Sequence, residues 1–228
     1  MEKGAILLMG LPGVGKGTQA FNLIGSFPNF VHVDTGAEIY RRIHDPTFAS
    51  DPTVQKQREI YEAGLLNDPR WVANLVVERI HTYASQGKGV IFSGSPRTLY
   101  EAETIAPLLF EVYGRDRVLV LTLSTAEETA RRRAFNRLTC PRRECRYPTT
   151  RDHAGERCPH CGEILAADQE SEAWKATKID ERFREFRQRT LPALDYLASL
   201  GLVEIIDAEG TREEVSTMVL EAIKRRLL

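Results

Sequence analysis

The stretch Gly10-Leu-Pro-Gly13-Val-Gly15-Lys16-Gly17-Thr18 constrains this chain more than any other. It follows an apolar run of strand length, Gly4 to Met9, and precedes a helical pattern from Lys16 to Ile24. Glycines at such a junction let backbone N–H groups point inward at an anion. The helix that follows turns its positive end toward the same point. Lys16 adds a mobile charge for phosphate oxygens. Strand, spaced glycines, Lys and Thr together predict a phosphate-binding loop rather than an ordinary glycine-rich turn.

The rest of the chain supplies the elements such a loop needs. Phe30 to Val33, Val90 to Phe92, Val118 to Leu123 and Leu202 to Ile206 read as further strands. Helical stretches are expected around 36–44 and 53–63, with Asp45-Pro46 and Asp51-Pro52 marking turns. Asp68-Pro69 is an N-cap followed by Pro at the first helical position. Thr98 with Glu101, and Thr211 with Glu214, form capping boxes. Residues 125–136 read as helix, and one long helix is expected from about 170 to 198. Strands alternating with helices predict an α/β fold, a parallel five-stranded sheet flanked by helices.

Composition narrows the class. The 228 residues carry 31 Lys and Arg against 32 Asp and Glu, a net charge of -1. That balance argues against a nucleic-acid partner bound through global positive charge. From 131 to 157, however, nine Arg face three acids, a local charge of +6. The longest apolar runs are too short to cross a bilayer, so no membrane partner is expected. Ala5 to Met9 reads as a strand rather than a signal peptide, which predicts a cytoplasmic protein.

All four cysteines fall in this basic stretch or beside it: Cys140-x4-Cys145, twelve residues, then Cys158-x2-Cys161. Two close pairs in a short polar segment fit a tetrahedral structural zinc site. His153 and His160 are expected to be solvated rather than to serve as ligands. The segment reads as a separate lid-like module.

The spelling of the loop, with Gly17 between Lys16 and Thr18, resembles that of the adenylate kinases and their nucleoside-monophosphate kinase relatives. The resemblance extends along nearly the whole chain. Asp34-Thr35-Gly36 is similar to the family's S-T-G. Glu62-Ala63-Gly64-Leu65-Leu66-Asn67-Asp68 is similar to D-A-G-x-L-V-x-D. Ser93-Gly94-Ser95-Pro96-Arg97-Thr98 is similar to D-G-F-P-R-T. Arg133 and Arg137 resemble the two arginines at the lid entrance, and Arg182-Phe-Arg-Glu-Phe186 the R-L-x-x-Y segment after it. Asp207-Ala-Glu-Gly-Thr211 resembles the closing D-G-x loop. Zinc-bearing lids occur in this family.

The resemblance implies magnesium-dependent transfer of the γ-phosphoryl of ATP to AMP. It implies a core of 1–33, 87–136 and 170–228, a helical monophosphate-binding insert at 34–86 and a zinc lid at 137–169. Gly13, Gly15, Lys16, Gly17 and Thr18 then hold the donor phosphates. Arg133 stacks on the donor adenine, and Gly210 lies in the loop beside it. Arg97 and Arg41 hold the acceptor phosphate, while Arg137 and Arg182 clamp the transferring group. Thr35, Gly36, Gly94 and the backbone of Leu65, Leu66 and Asn67 face the acceptor. Arg131, Arg132, Arg142 and Arg143 are given no role, and for them a solvated surface charge stays open. A monomer is expected from family habit.

The pattern is broken at four places. Arg41 lies six residues after the Thr rather than five, so Arg42 competes with it. The lid's R-x-D-D is replaced by Ala166-Ala167-Asp168-Gln169, which removes one arginine and leaves Lys175 or Lys178 to stand in. Ser93 replaces an Asp that orders magnesium-bound water. Glu101 replaces a Gln that reads the acceptor base, and it either favours guanine or serves only to cap its helix. The alternatives are therefore a kinase preferring GMP or another monophosphate and, outside enzymes, a P-loop zinc-ribbon nucleotide switch or nucleic-acid binder.

Overall fold

A computed structural model describes residues 3–142, 145–166 and 171–227, without the side chain of Trp174. Its main sheet is built from β1 (Ala5–Met9), β2 (Phe30–Val33), β3 (Gly89–Phe92), β4 (Val118–Ser124) and β7 (Val203–Asp207). A separate two-stranded hairpin pairs β5 (Arg137–Thr139) with β6 (Pro148–Thr150). The main sheet is parallel throughout, in the order β2-β3-β1-β4-β7. β1 pairs Ala5 with Val90 on one side and with Val118 on the other.

Every residue of β1 and β3 is buried, as parallel strands covered on both faces require. Alternation along the strands divides the core in two. Leu7, Met9, Phe92 and Val120 pack on α4 (Pro69–Ser85), α5 (Leu99–Tyr113) and α8 (Leu191–Ser199). Ile6, Leu8, Leu119 and Leu121 pack on α1 (Lys16–Ser26), α9 (Arg212–Leu227) and Phe183 of α7 (Glu172–Glu185). A smaller cluster, Ile39, Ile43, Val54, Val72 and Leu75, joins α2 (Thr35–Ile43) and α3 (Pro52–Glu62) to α4. α6 (Glu127–Phe135) leads from the sheet into the hairpin.

The expected caps form. Asp68 accepts from the amides of Arg70 and Trp71 at 2.9 and 3.1 Å, and Thr98 Oγ1 from that of Glu101 at 3.3 Å. The single helix expected to 198 differs. A wide π turn at Phe186–Thr190 separates α7 from α8. Pro192 has no N–H for the carbonyl of residue 188 and its ring would crowd that oxygen, so the backbone widens there. Among the described residues, no helix is long and apolar enough to cross a membrane. The loops after β1, β2, β3 and β7 open on the carboxyl edge of the sheet, where open α/β sheets bind ligands.

Candidate active site

The loop after β1 is shaped by two close backbone approaches. Gly10 and Gly13 adopt φ of +130° and +90°. A Cβ would lie 2.3 Å from the Leu123 carbonyl oxygen at Gly10, and 2.1 Å from that of Ala130 at Gly13. Gly15 precedes α1 in a left-handed conformation with no side-chain cap. The first amides of α1, including Gly17 and Thr18, therefore face the loop as an anion-binding terminus. Lys16 Nζ folds back to donate to the carbonyls of Gly10 and Leu11, both at 2.8 Å. Its pKa is lowered to about 7, first by burial and then by the charges of Arg97, Arg137 and Arg182. The structure thus brings together the four cations that separate motifs predict.

Each cation arrives on a different element. Arg97 lies in the turn after β3, with Nε donating to the Gly94 carbonyl at 2.8 Å. Its own carbonyl accepts from Thr190 Oγ1 in the π turn at 3.0 Å. Arg137 opens β5. It keeps solvent-exposed surface at the cleft, yet the protein around it holds its pKa below the usual arginine range. Burial is the main cause, Asp34 opposes it, and Arg146 and Arg97 add to it. Arg182 is carried by α7.

Beside this cluster the acceptor motifs converge. Thr35 is 1% exposed, and its Oγ1 has no partner among the described residues. A Cβ on Gly94 would lie 3.3 Å from Arg97 Nη2 and 3.4 Å from Thr35 Cβ, so these three share one wall. Gly36 follows, with Asp34 capping α2 through the Ala37 amide at 3.2 Å. Arg42 is engaged elsewhere, by Glu78 at 2.6 Å and by the Phe48 ring. Arg41 pairs at 2.6 Å with Glu38, a carboxylate buried to 6% exposure that also receives Arg79. Leu65 is exposed and Leu66 half-buried, while the Asn67 side chain turns inward to the Gln57 carbonyl and Oε1. Gln57, 3% exposed, also receives the amide of Asp68, so it holds the whole 65–68 turn on α3.

Glu101 is placed differently from a base reader. It is 2% exposed. Oε2 accepts from Ser95 Oγ at 3.1 Å and from the Arg97 amide at 3.0 Å, and Oε1 accepts from Thr98 Oγ1 at 3.0 Å. Burial raises its pKa against these bonds. Both oxygens are engaged by the 95–98 turn, the arrangement that the capping alternative requires. Ser93 Oγ is likewise engaged, 2.6 Å from His32 Nε2. Burial lowers the His32 pKa, with Asp34 opposing and Arg146 adding to the effect.

At the loop after β7, Arg133 Nη1 donates to the Ala208 carbonyl at 2.5 Å and Nη2 to those of Glu209 and Gly210 at 3.0 and 3.1 Å. These in-plane bonds fix the loop after β7 and leave the flat faces of the guanidinium for stacking. Arg131 is not merely solvated. It pairs with Glu127 and Asp180 and lies 4.5 Å over the Phe183 ring. Lys178 Nζ donates to the Ala63 carbonyl at 2.6 Å and pairs with Glu181, and Lys175 is buried. The replaced R-x-D-D positions from 167 to 169, and Arg143, lie outside the described residues.

The four cysteine sulfurs lie within 4.8 Å of one another. Cys140 and Cys161 are 3.6 Å apart, and Cys145 and Cys158 3.7 Å. A tetrahedron with Zn–S bonds of about 2.3 Å has edges of about 3.8 Å, so the set fits zinc. Burial opposes ionisation of Cys158, but amides of His160 and Cys161 and its thiol neighbours bring it down to about 7. The small cluster of Leu138, Leu165 and these cysteines has little else to hold it. His160 is exposed, as expected, but it also makes contacts: Nδ1 lies 3.3 Å from Cys145 Sγ, and its ring meets Phe21 of α1 edge-on at 4.9 Å. Tyr147 meets Phe21 at 5.1 Å. The lid is therefore seated on the helix that begins at the phosphate loop.

A phosphate loop, a buried threonine wall and arginines from three further elements match one protein family in detail. A sequence model of that family, described as adenylate kinase, matches residues 8–202. The chain belongs to the adenylate kinase family. It is 29% identical over 226 residues to an adenylate kinase of Chlamydia pneumoniae, covering 98% of this chain and 99% of that one. It is 30% identical over 225 residues to an adenylate kinase of Streptomyces coelicolor, covering 96% and 98%. An adenylate kinase of Archaeoglobus fulgidus is 28% identical over 228 residues, covering 96% and 99%. Against the family motifs, Gln57, Glu38, His32 and Arg146 carry no signature. They matter here because of what they touch.

Proposed function

We propose that this protein transfers the γ-phosphoryl group of MgATP to AMP, giving two ADP. One observation carries the reading: Lys16, Arg97, Arg137 and Arg182 crowd one cleft between the phosphate loop and the Thr35 wall. Such a crowd of cations suits the charge of two nucleotides held end to end. Gly13, Gly15, Gly17 and Thr18 bind donor phosphates, and Arg133 and Gly210 flank the donor base. Arg97 and Arg41 hold the acceptor phosphate, with Thr35, Gly36, Gly94 and the 65–67 backbone around its base. Residues 34–86 and 137–169 act as the acceptor segment and lid over a core of 1–33, 87–136 and 170–228. Because Glu101 is turned into its own helix cap, nothing in its geometry favours GMP.

Magnesium neutralises phosphate charge when it enters with ATP. The Ser93 hydroxyl, which stands where the family has an Asp, is engaged by His32. Cys140, Cys145, Cys158 and Cys161 hold one structural zinc. Family membership supports a cytoplasmic monomer. The test is ADP formation from ATP with AMP, GMP, CMP and UMP in turn. AMP is expected to give the highest kcat/KM, and Lys16→Met to remove most turnover while the protein stays folded. Failure of wild-type protein to form a diphosphate from any monophosphate would reject the reading.

A further inference from the structure

Arg146 has a conformation that its side chain must justify. Among the described residues it is the one non-glycine at positive φ, 47°. Side chains with a Cβ reach that region at a cost of about 1–3 kcal/mol, and glycine reaches it freely. The turn is tight, with the amides of Cys145 and Arg146 both donating to the Arg142 carbonyl at 3.0 Å. It projects Arg146 out of the cysteine knuckle and across the cleft. There Nε lies 3.5 Å from Asp34 Oδ2, at the residue that caps α2. That separation is long for a charged hydrogen bond, whose usual length is about 2.7–2.9 Å. Among the described residues, no hydrogen bond holds the guanidinium there. Its field reaches Arg137, His32 and Tyr61, so it stands among the cations of the cleft. Asp34 opposes that charge at both Arg137 and His32.

A guanidinium so placed, with no hydrogen bond to its terminal nitrogens among the described residues, is poised for an anion shorter-bonded than Asp34. The arginine that R-x-D-D would supply is missing from this lid, and Lys178 is tied to Ala63. We propose that Arg146 is a further catalytic residue, gripping the transferring phosphoryl group from the lid side while Asp34 holds it between turnovers. This rests on the phosphotransferase reading above. In the step itself, an AMP phosphate oxygen forms a bond to the γ-phosphorus. The bond to the β,γ-bridging oxygen breaks, and ADP leaves with that electron pair. Arg146 moves no proton; it neutralises charge on the equatorial oxygens.

The test uses full-length zinc-loaded protein with Arg146→Gly, which keeps the left-handed turn and removes the guanidinium. Arg146→Asn is the second variant, since Asn also accepts that region. Zinc content and melting temperature report folding. Steady-state ADP formation gives kcat and KM, and calorimetry gives Kd for AMP and for ATP separately. Both variants are expected to lose about 100-fold or more in kcat, with each Kd within about threefold of wild type. Asp34→Asn, which preserves the cap, is expected to lose at least tenfold less kcat than Arg146→Gly. Equal losses in Asp34→Asn and Arg146→Gly would make the pair a latch and overturn the proposal. So would unchanged kcat in either folded Arg146 variant. Wild-type protein without activity would instead overturn the reading on which it rests.

Discussion

Replacing Glu101 separates a structural role from a substrate-reading one. Its carboxylate accepts from Ser95 Oγ, the Arg97 amide and Thr98 Oγ1 in a site only 2% exposed. In Glu101→Ala the two hydroxyls can turn to other acceptors, but the Arg97 amide cannot. That orphaned donor costs about 1–3 kcal/mol, and loss of the reciprocal cap adds about 1 kcal/mol. A total near 3 kcal/mol lowers the melting temperature of a chain this long by about 6–12 °C. Glu101→Gln behaves differently. The amide oxygen takes the place of Oε2, and the NH2 turns to Thr98 Oγ1, which can accept. Charged hydrogen bonds become neutral, at about 1 kcal/mol, while the burial that raises the Glu101 pKa no longer acts on a charge. The Gln variant should melt within about 4 °C of wild type. Calorimetry measures both melts, and kcat/KM for AMP and GMP measures base preference. The AMP to GMP ratio should move less than about threefold in Glu101→Gln. A tenfold shift toward AMP, worth about 1.4 kcal/mol, with an unchanged melt would refute the capping assignment.

Two further outcomes follow from the site. With its pKa lowered to about 7, Lys16 is largely neutral at pH 8 and largely charged at pH 6. Donor phosphates raise that pKa, so MgATP binding at pH 8 should take up protons, with less uptake at pH 6. Calorimetry in buffers of different ionisation enthalpy measures this, and proton release at pH 8 would contradict it. The cysteine set should carry one zinc per chain, lost in Cys158→Ser; chelation should lower activity while far-ultraviolet circular dichroism of the central sheet persists. Purified protein with no zinc and four freely titrating thiols would exclude the metal.

What is legible in the residues is what local chemistry enforces. Gly10 and Gly13 are written as glycine because a Cβ would strike the backbone behind β4 and α6. Asp68-Pro69 and Thr98-Glu101 announce helix starts because caps act over three or four residues. The five strands are short, but both faces of β1 and β3 are covered, so each reads as an unbroken apolar run. The remainder depends on distant partners. Gln57 looks like an ordinary helix residue until the 65–68 turn folds onto it. Glu38 is a first-turn acid until Arg41 and Arg79 close on it. Arg146 is one of nine arginines in its stretch, and nothing nearby in the chain marks the left-handed turn. Glu101 shows the other limit, since cap and base reader share one spacing.

The helix α7 is held on three sides. Phe183 is sunk in the core against the sheet, and Asp180 takes Arg131 from α6. Lys178 reaches the Ala63 carbonyl in the turn that follows α3. Its first residue, Glu172, follows the cysteine segment in the chain, and Arg182 rides on it into the cleft. A lever pinned in this way has few independent movements. If the lid swings and tilts the start of α7, the Lys178–Ala63 bond must either break or pull the 62–66 turn with it. Under the proposed reading, the segments over donor and acceptor would then share one axle, and ordering one would lower the entropic cost of ordering the other.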